Sequence, residues 1–265
     1  MIDTEKYRLQ RGESSLLISV PHSGTAVPTE IEQQFSKAAR NLPDTDWYVD
    51  RLYGWAPETG AGMLVAPWSR YVVDLNRPPD DKPLYDQSTS ALLTGLIPHK
   101  TFSGDDIYTH AKPAENESSA RLAAYWAPYH DCLAEELERI RQRHGFAVLL
   151  DAHSIRSQQP LLFDGTLPDL NLGSNSARSA DSTLIESARK ALSRSPFTLV
   201  VDGRFKGGYI TRHYGRPADG IHALQLEMAQ SAYMREDPPE WDEEKAAAMT
   251  GVLKNLVAGL SDWKP

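Results

Sequence analysis

Two histidines, His22 and His153, each follow a short apolar run, as Ile18-Ser19-Val20-Pro21-His22 and Leu149-Leu150-Asp151-Ala152-His153. Neutral imidazole is a common zinc ligand, and catalytic zinc sites combine histidine and carboxylate ligands around a position left open for water. The carboxyl ends of parallel strands meet at one edge of a sheet, where ligands bind. The two side chains are therefore candidate metal ligands, although a loop histidine bonded to Asp151 alone fits the second motif as well.

A carboxylate would complete such a site, and the acid-rich segment 44–53 supplies Asp46 and Asp50. We expect a helix in this segment, with Asp46 in its first turn and Asp50 one turn further along. Acidic residues near a helix N-terminus are also favoured by capping and by the helix dipole, which needs no metal. Because the sequence contains no His-Glu-x-x-His motif, the choice between the two acids stays open.

Glu227 is a carboxylate within an otherwise largely apolar segment, residues 223–229. Burying an ionised carboxylate is costly unless a cation or a metal faces it. Two interpretations fit the pattern equally well. Glu227 is either a general base beside a metal site, or a structural group that faces outward or pairs with an arginine.

Three arginines, Arg70, Arg77 and Arg212, stand at the starts of predicted loops, and Arg77 follows Asn76 in an Asn-Arg-Pro-Pro segment. A guanidinium group binds a carboxylate through two parallel hydrogen bonds and stays charged when partly buried. Several such groups in one cleft would attract a small anionic substrate to a protein of formal net charge −8. Each arginine taken alone also fits a structural ion pair.

The composition narrows the class of protein. Of 265 residues, 40% are hydrophobic and 24% charged, which is typical of a folded enzyme and excludes a disordered chain. The negative charge argues against a nucleic-acid partner. No apolar run approaches the ~20 residues of a membrane span, and the single Cys132 cannot form an internal disulfide. We expect a cytoplasmic protein, and the sequence does not distinguish a monomer from a homodimer.

Apolar runs alternate with helical patterns along the chain. This alternation predicts one three-layer α/β/α domain over residues 1–265, with a mostly parallel mixed sheet. The predicted strands span residues 15–20, 63–66, 71–75, 147–150, 197–202 and 221–228. The predicted helices span residues 29–40, 44–53, 115–144, 181–193 and 241–260, with a kink at Pro128. Two long irregular segments, 80–112 and 155–180, have no assigned role.

Seven short motifs occur in the order in which they stand in the N-formylglutamate amidohydrolase (N-formylglutamate deformylase) family. They lie at residues 20–24, 44–47, 69–79, 151–154, 167–173, 207–215 and 225–228. The chain resembles this family over nearly its whole length. The resemblance implies a zinc-carboxypeptidase-like (phosphorylase/hydrolase-like) fold, related to that of aspartoacylases. It also implies hydrolysis of N-formyl-L-glutamate to formate and L-glutamate, a step of histidine degradation.

The same resemblance implies a role for each candidate residue. One Zn²⁺ ion would be held by His22, His153 and an acid of the 46–50 segment, with Glu227 as general base. Arg70 would help to stabilise the oxyanion, while the substrate carboxylates would be bound by Asn76, Arg77 and Arg212. The His-x-x-Glu spacing of zinc peptidases is absent, because Thr25 stands three residues after His22. The carboxylate ligand must therefore come from elsewhere in the chain.

Two other functions fit the same residues. Another zinc enzyme, such as an N-acyl amino-acid deacylase or a small-peptide carboxypeptidase, would share the metal ligands and the base but differ in its acyl pocket. A non-catalytic protein that binds an acidic amino acid would keep the arginines, but it would have no use for a buried base such as Glu227.

Overall fold

The centre of the fold consists of two nine-residue strands, β5 (Ala147–Ile155) and β8 (Ile221–Ala229), which pair in parallel over their full length. The computed structural model describes residues 1–84, 95–110 and 112–265. Every residue of both strands is buried, as is typical of strands covered on both faces. Since β5 extends well beyond the predicted 147–150, His153 lies within a strand rather than in a loop.

Six further strands complete the sheet. They are β1 (Ile2–Asp3), β2 (Arg8–Gln10), β3 (Leu16–Val20), β4 (Gly62–Val65), β6 (Leu170–Gly173) and β7 (Leu199–Val201). The strand order is β1-β2-β4-β3-β5-β8-β6-β7. Strands β4, β3, β5 and β8 run parallel, whereas β6 is antiparallel to β8 and β2 is antiparallel to β4. A separate antiparallel pair joins β9 (Met234–Glu236) to β10 (Pro239–Trp241).

Helices cover both faces of this sheet. They are α1 (Thr29–Glu32), α2 (Val49–Leu52), α3 (Glu115–Arg121), α4 (Ala127–His144), α5 (Ser182–Leu192), α6 (Tyr209–Tyr214) and α7 (Glu243–Asp262). Helices α2, α5 and α7 pack in one apolar cluster with Val148 and Leu150 of β5. Helices α1, α4 and α6 pack in a second cluster with Ala147 and Leu149. Alternate residues of a strand face opposite sides of the sheet, so β5 packs on one helical layer through Val148 and Leu150 and on the other through Ala147 and Leu149. The prediction of a three-layer α/β fold with a mixed sheet is confirmed.

Among the helices of the described residues, none has the length and apolarity that crossing a bilayer requires.

The strand predicted at residues 71–75 is wrong. Val72 and Val73 are fully or almost fully buried, but the segment consists of turns rather than a paired strand. Its backbone bonds are local or reach a loop, as in Val72 N–H to the Ser69 carbonyl and Asp74 N–H to the Leu96 carbonyl. The apolar run reflects burial in the cluster on one face of the sheet, and the turns bring the polar residues that follow it towards the strand ends.

The helices predicted at residues 29–40 and 44–53 are much shorter than expected. Helix α1 ends at Glu32, and Phe35 forms an isolated bridge with Tyr108 instead. Helix α2 begins only at Val49, because Tyr48 adopts a left-handed conformation with φ of 63°. Asp46 therefore precedes the helix and does not lie in its first turn.

Several elements were not expected from the sequence, among them the short strands β1, β2, β9 and β10. Strand β6 lies within the segment 155–180 that was predicted to be irregular, and α6 follows the paired glycines Gly207 and Gly208. A five-residue π-helix, Leu122–Trp126, joins α3 to α4. Part of the segment 80–112 lies outside the described residues.

Candidate metal centre

His22 follows β3 by two residues and is almost completely buried, with 2% of its surface exposed. Its Nε2 atom lies 2.9 Å from Oδ1 of Asp74. Because a carboxylate only accepts, Nε2 carries the proton and Nδ1 presents a lone pair. That Nδ1 atom has no hydrogen-bond partner among the described residues and lies 3.8 Å from Oδ2 of Asp46. Burial and the nearby Arg70 lower the pKa of His22, which keeps the ring neutral.

His153 points from β5 towards the same centre. Its Nδ1 atom lies 3.0 Å from Oδ2 of Asp46, and its Nε2 atom lies 2.9 Å from Oδ2 of Asp151. Asp151 and His153 share a strand face because they are two residues apart. Burial opposes charge on His153, but the two carboxylates outweigh it and raise the pKa of His153 well above its ordinary value. The rings of His22 and His153 are 5.0 Å apart between centroids.

Asp46 stands between the two histidines. It is 1% exposed, and its Oδ2 atom accepts a hydrogen bond of 3.1 Å from the backbone N–H of Ser154. One ligand atom each from His22, Asp46 and His153 lie within 4.8 Å of one another, so the three side chains form a candidate metal-binding group. Burial would raise the pKa of Asp46, but the hydrogen bond with His153 and the surrounding positive charges lower it.

Asp50, the alternative carboxylate, lies elsewhere. It is on α2 and forms an ion pair of 3.1 Å with Arg8, with 35% of its side chain exposed. Of the two predicted acids, Asp46 is the one that lies with the histidines, because the left-handed Tyr48 separates the loop of Asp46 from the helix of Asp50. The geometry therefore favours Asp46 as the carboxylate ligand.

Arg70 links two of the buried acids. Its Nη2 atom lies 2.8 Å from Oδ2 of Asp74, and its Nη1 atom lies 3.4 Å from Oδ1 of Asp46. The same Nη1 atom donates to the backbone carbonyl of Asp44 at 3.3 Å. Although burial favours the neutral acid, Arg70 and His22 hold the pKa of Asp74 well below its usual range. Arg70 therefore contacts the carboxylate that holds His22, which is Asp74, and the carboxylate that contacts His153, which is Asp46.

Glu227 is placed beside this group by the register of β5 and β8, in which Glu227 stands opposite His153. It is 7% exposed, and burial raises its pKa to about 8. A carboxylate whose pKa lies near neutrality exchanges protons readily at physiological pH. Gln225 donates a hydrogen bond of 3.1 Å to Oε2 of Glu227. Glu227 is therefore buried inside the site and does not face outward.

Asn76 is the predicted substrate-binding residue that lies closest to the histidines. Its Nδ2 atom donates to Oδ2 of Asp151 at 3.2 Å and lies 2.9 Å from Nε2 of His153. Its Oδ1 atom accepts from the backbone N–H of Ile210 at the start of α6. Asn76 therefore holds α6 against the end of β5.

Arg77 directly follows Asn76 in the chain, and its Nη1 atom donates to the backbone carbonyl of Asn76 at 3.2 Å. The backbone carbonyl of Arg77 accepts a hydrogen bond of 3.0 Å from the indole of Trp126. Arg212 lies on α6, and its Nε atom donates to the carbonyl of Gly207 at 2.7 Å. That these two guanidinium groups hold substrate carboxylates stays a prediction.

Sequence reasoning missed two residues of the site, Asp74 and Gln225. Asp74 was assigned to a strand, but the i, i+4 spacing from Arg70 to Asp74 was a visible signal for an ion pair. Gln225 stands two residues before Glu227, so strand periodicity alone places both side chains on one face.

The fold and the site together define a class of protein, the α/β proteins with a candidate metal-ligand group at the edge of a mixed sheet and a buried carboxylate beside it. Within that class the chain belongs to the N-formylglutamate amidohydrolase family, whose model matches residues 14–234.

Relatives match almost the whole chain. A Pseudomonas aeruginosa protein named N-formylglutamate deformylase is 46% identical over 262 residues, which is 98% of this chain and 97% of that protein. A Pseudomonas putida protein of the same name is 45% identical over 256 residues, covering 96% and 94%. The crystal structure of an N-formylglutamate amidohydrolase from Ralstonia eutropha is similar with a TM-score of 0.84 and 26% identity, covering 97% of this chain and 98% of that one.

Proposed function

We propose that this protein hydrolyses N-formyl-L-glutamate to formate and L-glutamate with one Zn²⁺ ion held by His22, Asp46 and His153. The observation that carries the proposal is the convergence of these three buried side chains next to Glu227. Support for the substrate comes from relatives named N-formylglutamate deformylase that share 45–46% of their residues with this chain over almost its full length.

The donor set fits zinc. Two imidazoles and one carboxylate are a ligand set found in catalytic zinc sites, with one position left for water. The buried Nδ1 atom of His22 has a lone pair and no hydrogen-bond partner among the described residues, and a buried group of this kind requires an explanation. The Nε2 atom of His22 is held by Asp74, and that of His153 is held by Asp151. Metal-binding histidines are usually oriented in this way, by a carboxylate on the ring nitrogen that does not bind the metal. When bound, such an ion lowers the pKa of water and polarises a carbonyl oxygen.

Glu227 acts as the general base. Its carboxylate takes a proton from the water that attacks the formyl carbon, and it then delivers that proton to the amine nitrogen of glutamate as the carbon–nitrogen bond breaks. The raised pKa of Glu227, about 8, suits a group that must both accept and release a proton near neutrality. Burial also keeps bulk water away from this step.

Binding affinity must come from the glutamate half of the substrate, since a formyl group offers little surface. Asn76, Arg77 and Arg212 bind its carboxylates, because guanidinium and amide donors match carboxylate oxygens. Arg70 contributes indirectly by holding Asp46 and Asp74 in place. A direct contact of Arg70 with the oxyanion stays a prediction.

Formate release by the purified, zinc-loaded protein tests the proposal. We expect rapid release from N-formyl-L-glutamate, slow hydrolysis of N-acetyl-L-glutamate, and weak binding of N-formyl-L-leucine, which lacks the side-chain carboxylate. Removal of the metal with a chelator should abolish turnover, and added zinc should restore it. Faster hydrolysis of the acetyl compound would indicate a different deacylase, and binding without hydrolysis would indicate a binding protein.

The proposal extends to the organisation of the protein. The whole chain forms a single amidohydrolase domain, which is supported by the eight-stranded sheet with apolar layers on both faces. The lone, buried Cys132 suits a cytoplasmic enzyme.

A further inference from the structure

Gln225 stands two residues before Glu227 on β8, so the two side chains leave the strand on the same face. Both are buried, with 4% and 7% of their surfaces exposed. The Nε2 atom of Gln225 donates a hydrogen bond of 3.1 Å to Oε2 of Glu227. One carboxylate oxygen of Glu227 is therefore engaged by a neighbour that takes no part in the proposed proton transfers.

The direction of the Gln225 amide is determined by a second contact. Its Oε1 atom lies 2.8 Å from the backbone nitrogen of Gly208. A backbone N–H can only donate, so the atom facing Gly208 must be the amide oxygen. The NH₂ group is then directed at Glu227, and the opposite orientation would place two donors against each other at Gly208.

Gly208 is itself held firmly. A Cβ atom on this residue would come within 2.3 Å of Nδ2 of Asn76, so the backbone packs directly on the Asn76 amide. The next two backbone N–H groups, of Tyr209 and Ile210, donate to the carbonyl and to Oδ1 of Asn76. The segment 208–210 therefore fixes the amide directions of both Asn76 and Gln225.

We infer that Gln225 is a positioning residue, which orients the carboxylate of Glu227 from the anchored Gly208. This inference rests on the proposed function, because it gives a role to the base of that reaction. A glutamate side chain on a strand has three rotatable bonds, and a base must lie within hydrogen-bond reach of the proton it takes. The bond from Gln225 restricts those rotations.

A double-mutant cycle between Gln225 and Glu227 tests the inference, with formate release from N-formyl-L-glutamate as the assay. Gln225→Met keeps the length of the side chain but removes both hydrogen bonds. We expect kcat to fall by about 10- to 100-fold, the range for a hydrogen bond to a charged group, with KM and metal content unchanged. In a Glu227→Gln background the same substitution should change the residual kcat by less than about twofold, since the group that it positions is gone.

Gln34→Met is the matched control, because Gln34 bonds to the Glu30 carbonyl and to Glu117 outside the site. It should leave kcat and KM unchanged. If Gln225→Met fails to fold, Gln225→Asn, whose amide is one methylene too short to join Gly208 and Glu227, replaces it in the cycle.

Equal losses of kcat from the Gln225 substitution in both backgrounds, or no loss in the wild-type background, would overturn the inference. Wild-type protein that releases no formate would overturn the proposed function and this inference together. An active wild type with additive variants overturns the inference alone, so the two failures are distinguishable.

Discussion

Replacing Arg70 with methionine should destabilise the protein strongly, because Arg70 is the cation between two buried acids. The side chains of Asp46 and Asp74 are 2% and 1% exposed, and that of Arg70 is 10% exposed. Removing one member of a buried ion pair leaves the partner charge without compensation and costs about 3–5 kcal/mol. Methionine fills a similar volume, so the loss reports charge rather than packing.

The assay is urea unfolding followed by circular dichroism, with the metal content of each preparation measured in parallel. Arg189→Met is the control. Arg189 pairs with Glu186 on α5, where the two side chains are 48% and 58% exposed, and surface pairs of this kind contribute about 0–1 kcal/mol. Arg70→Met should also bind zinc more weakly. Arg70 holds the ligand Asp46 and also Asp74, which orients the ligand His22, and both contacts are lost in the variant.

A double variant shows whether the loss of stability in Arg70→Met comes from uncompensated charge or from lost packing. Adding Asp74→Asn to Arg70→Met removes one of the two carboxylate charges that Arg70 no longer compensates. The double variant should therefore lose less unfolding free energy than the two single variants lose together. An Arg70→Met variant that is destabilised no more than Arg189→Met, or additive losses from Arg70→Met and Asp74→Asn, would show that Arg70 does not compensate these buried charges.

Three further predictions concern the carboxylate ligand, the buried His130 of α4 and the bound metal. Asp46→Asn should lose bound zinc, measured by metal analysis, whereas Asp50→Asn should retain it; zinc lost only from the second variant would reverse the ligand assignment. Burial lowers the pKa of His130 from 6.5 to about 3. As the pH falls below about 6.5, His130 is therefore protonated in the unfolded state but stays neutral in the folded state, and this difference destabilises the fold. The free energy of unfolding of the wild type relative to His130→Gln should therefore fall by roughly 2–3 kcal/mol between pH 7.5 and pH 4.5, and a constant difference in urea unfolding would contradict this. Chelation of the metal should lower the urea midpoint of the wild type, because a ligand that binds only the folded state stabilises it, and an unchanged midpoint would count against a folded-state metal site.

The placement of the histidines could be predicted because buried strands have a clear sequence signal. Strands β3 and β5 are apolar runs, and the polar residues at their ends stand out against them. Periodicity did not reveal where β5 ends, since a strand buried on both faces has no alternation to mark its limit. His153 was therefore expected in a loop, although its contacts depend on the side-chain direction that a strand gives it.

The choice between Asp46 and Asp50 depended on a backbone feature that residue types do not reveal. The helical pattern of residues 44–53 suggested one continuous helix, but Tyr48 is left-handed and α2 is only four residues long. Tyrosine rarely adopts this conformation, and tertiary packing must impose it. The prediction for residues 71–75 failed for a related reason, because its valines are buried in the apolar cluster on one face of the sheet without forming a strand of it.

The role of Glu227 as general base is tested by the rate of formate release by Glu227→Gln, with zinc measured in the same sample. Glutamine keeps the size of the side chain and its contact with Gln225 but cannot accept the proton. We predict that kcat falls by about 10²–10⁴-fold, the contribution of a positioned general base, while one zinc ion stays bound. Near-normal formate release by a zinc-loaded Glu227→Gln protein would contradict this prediction.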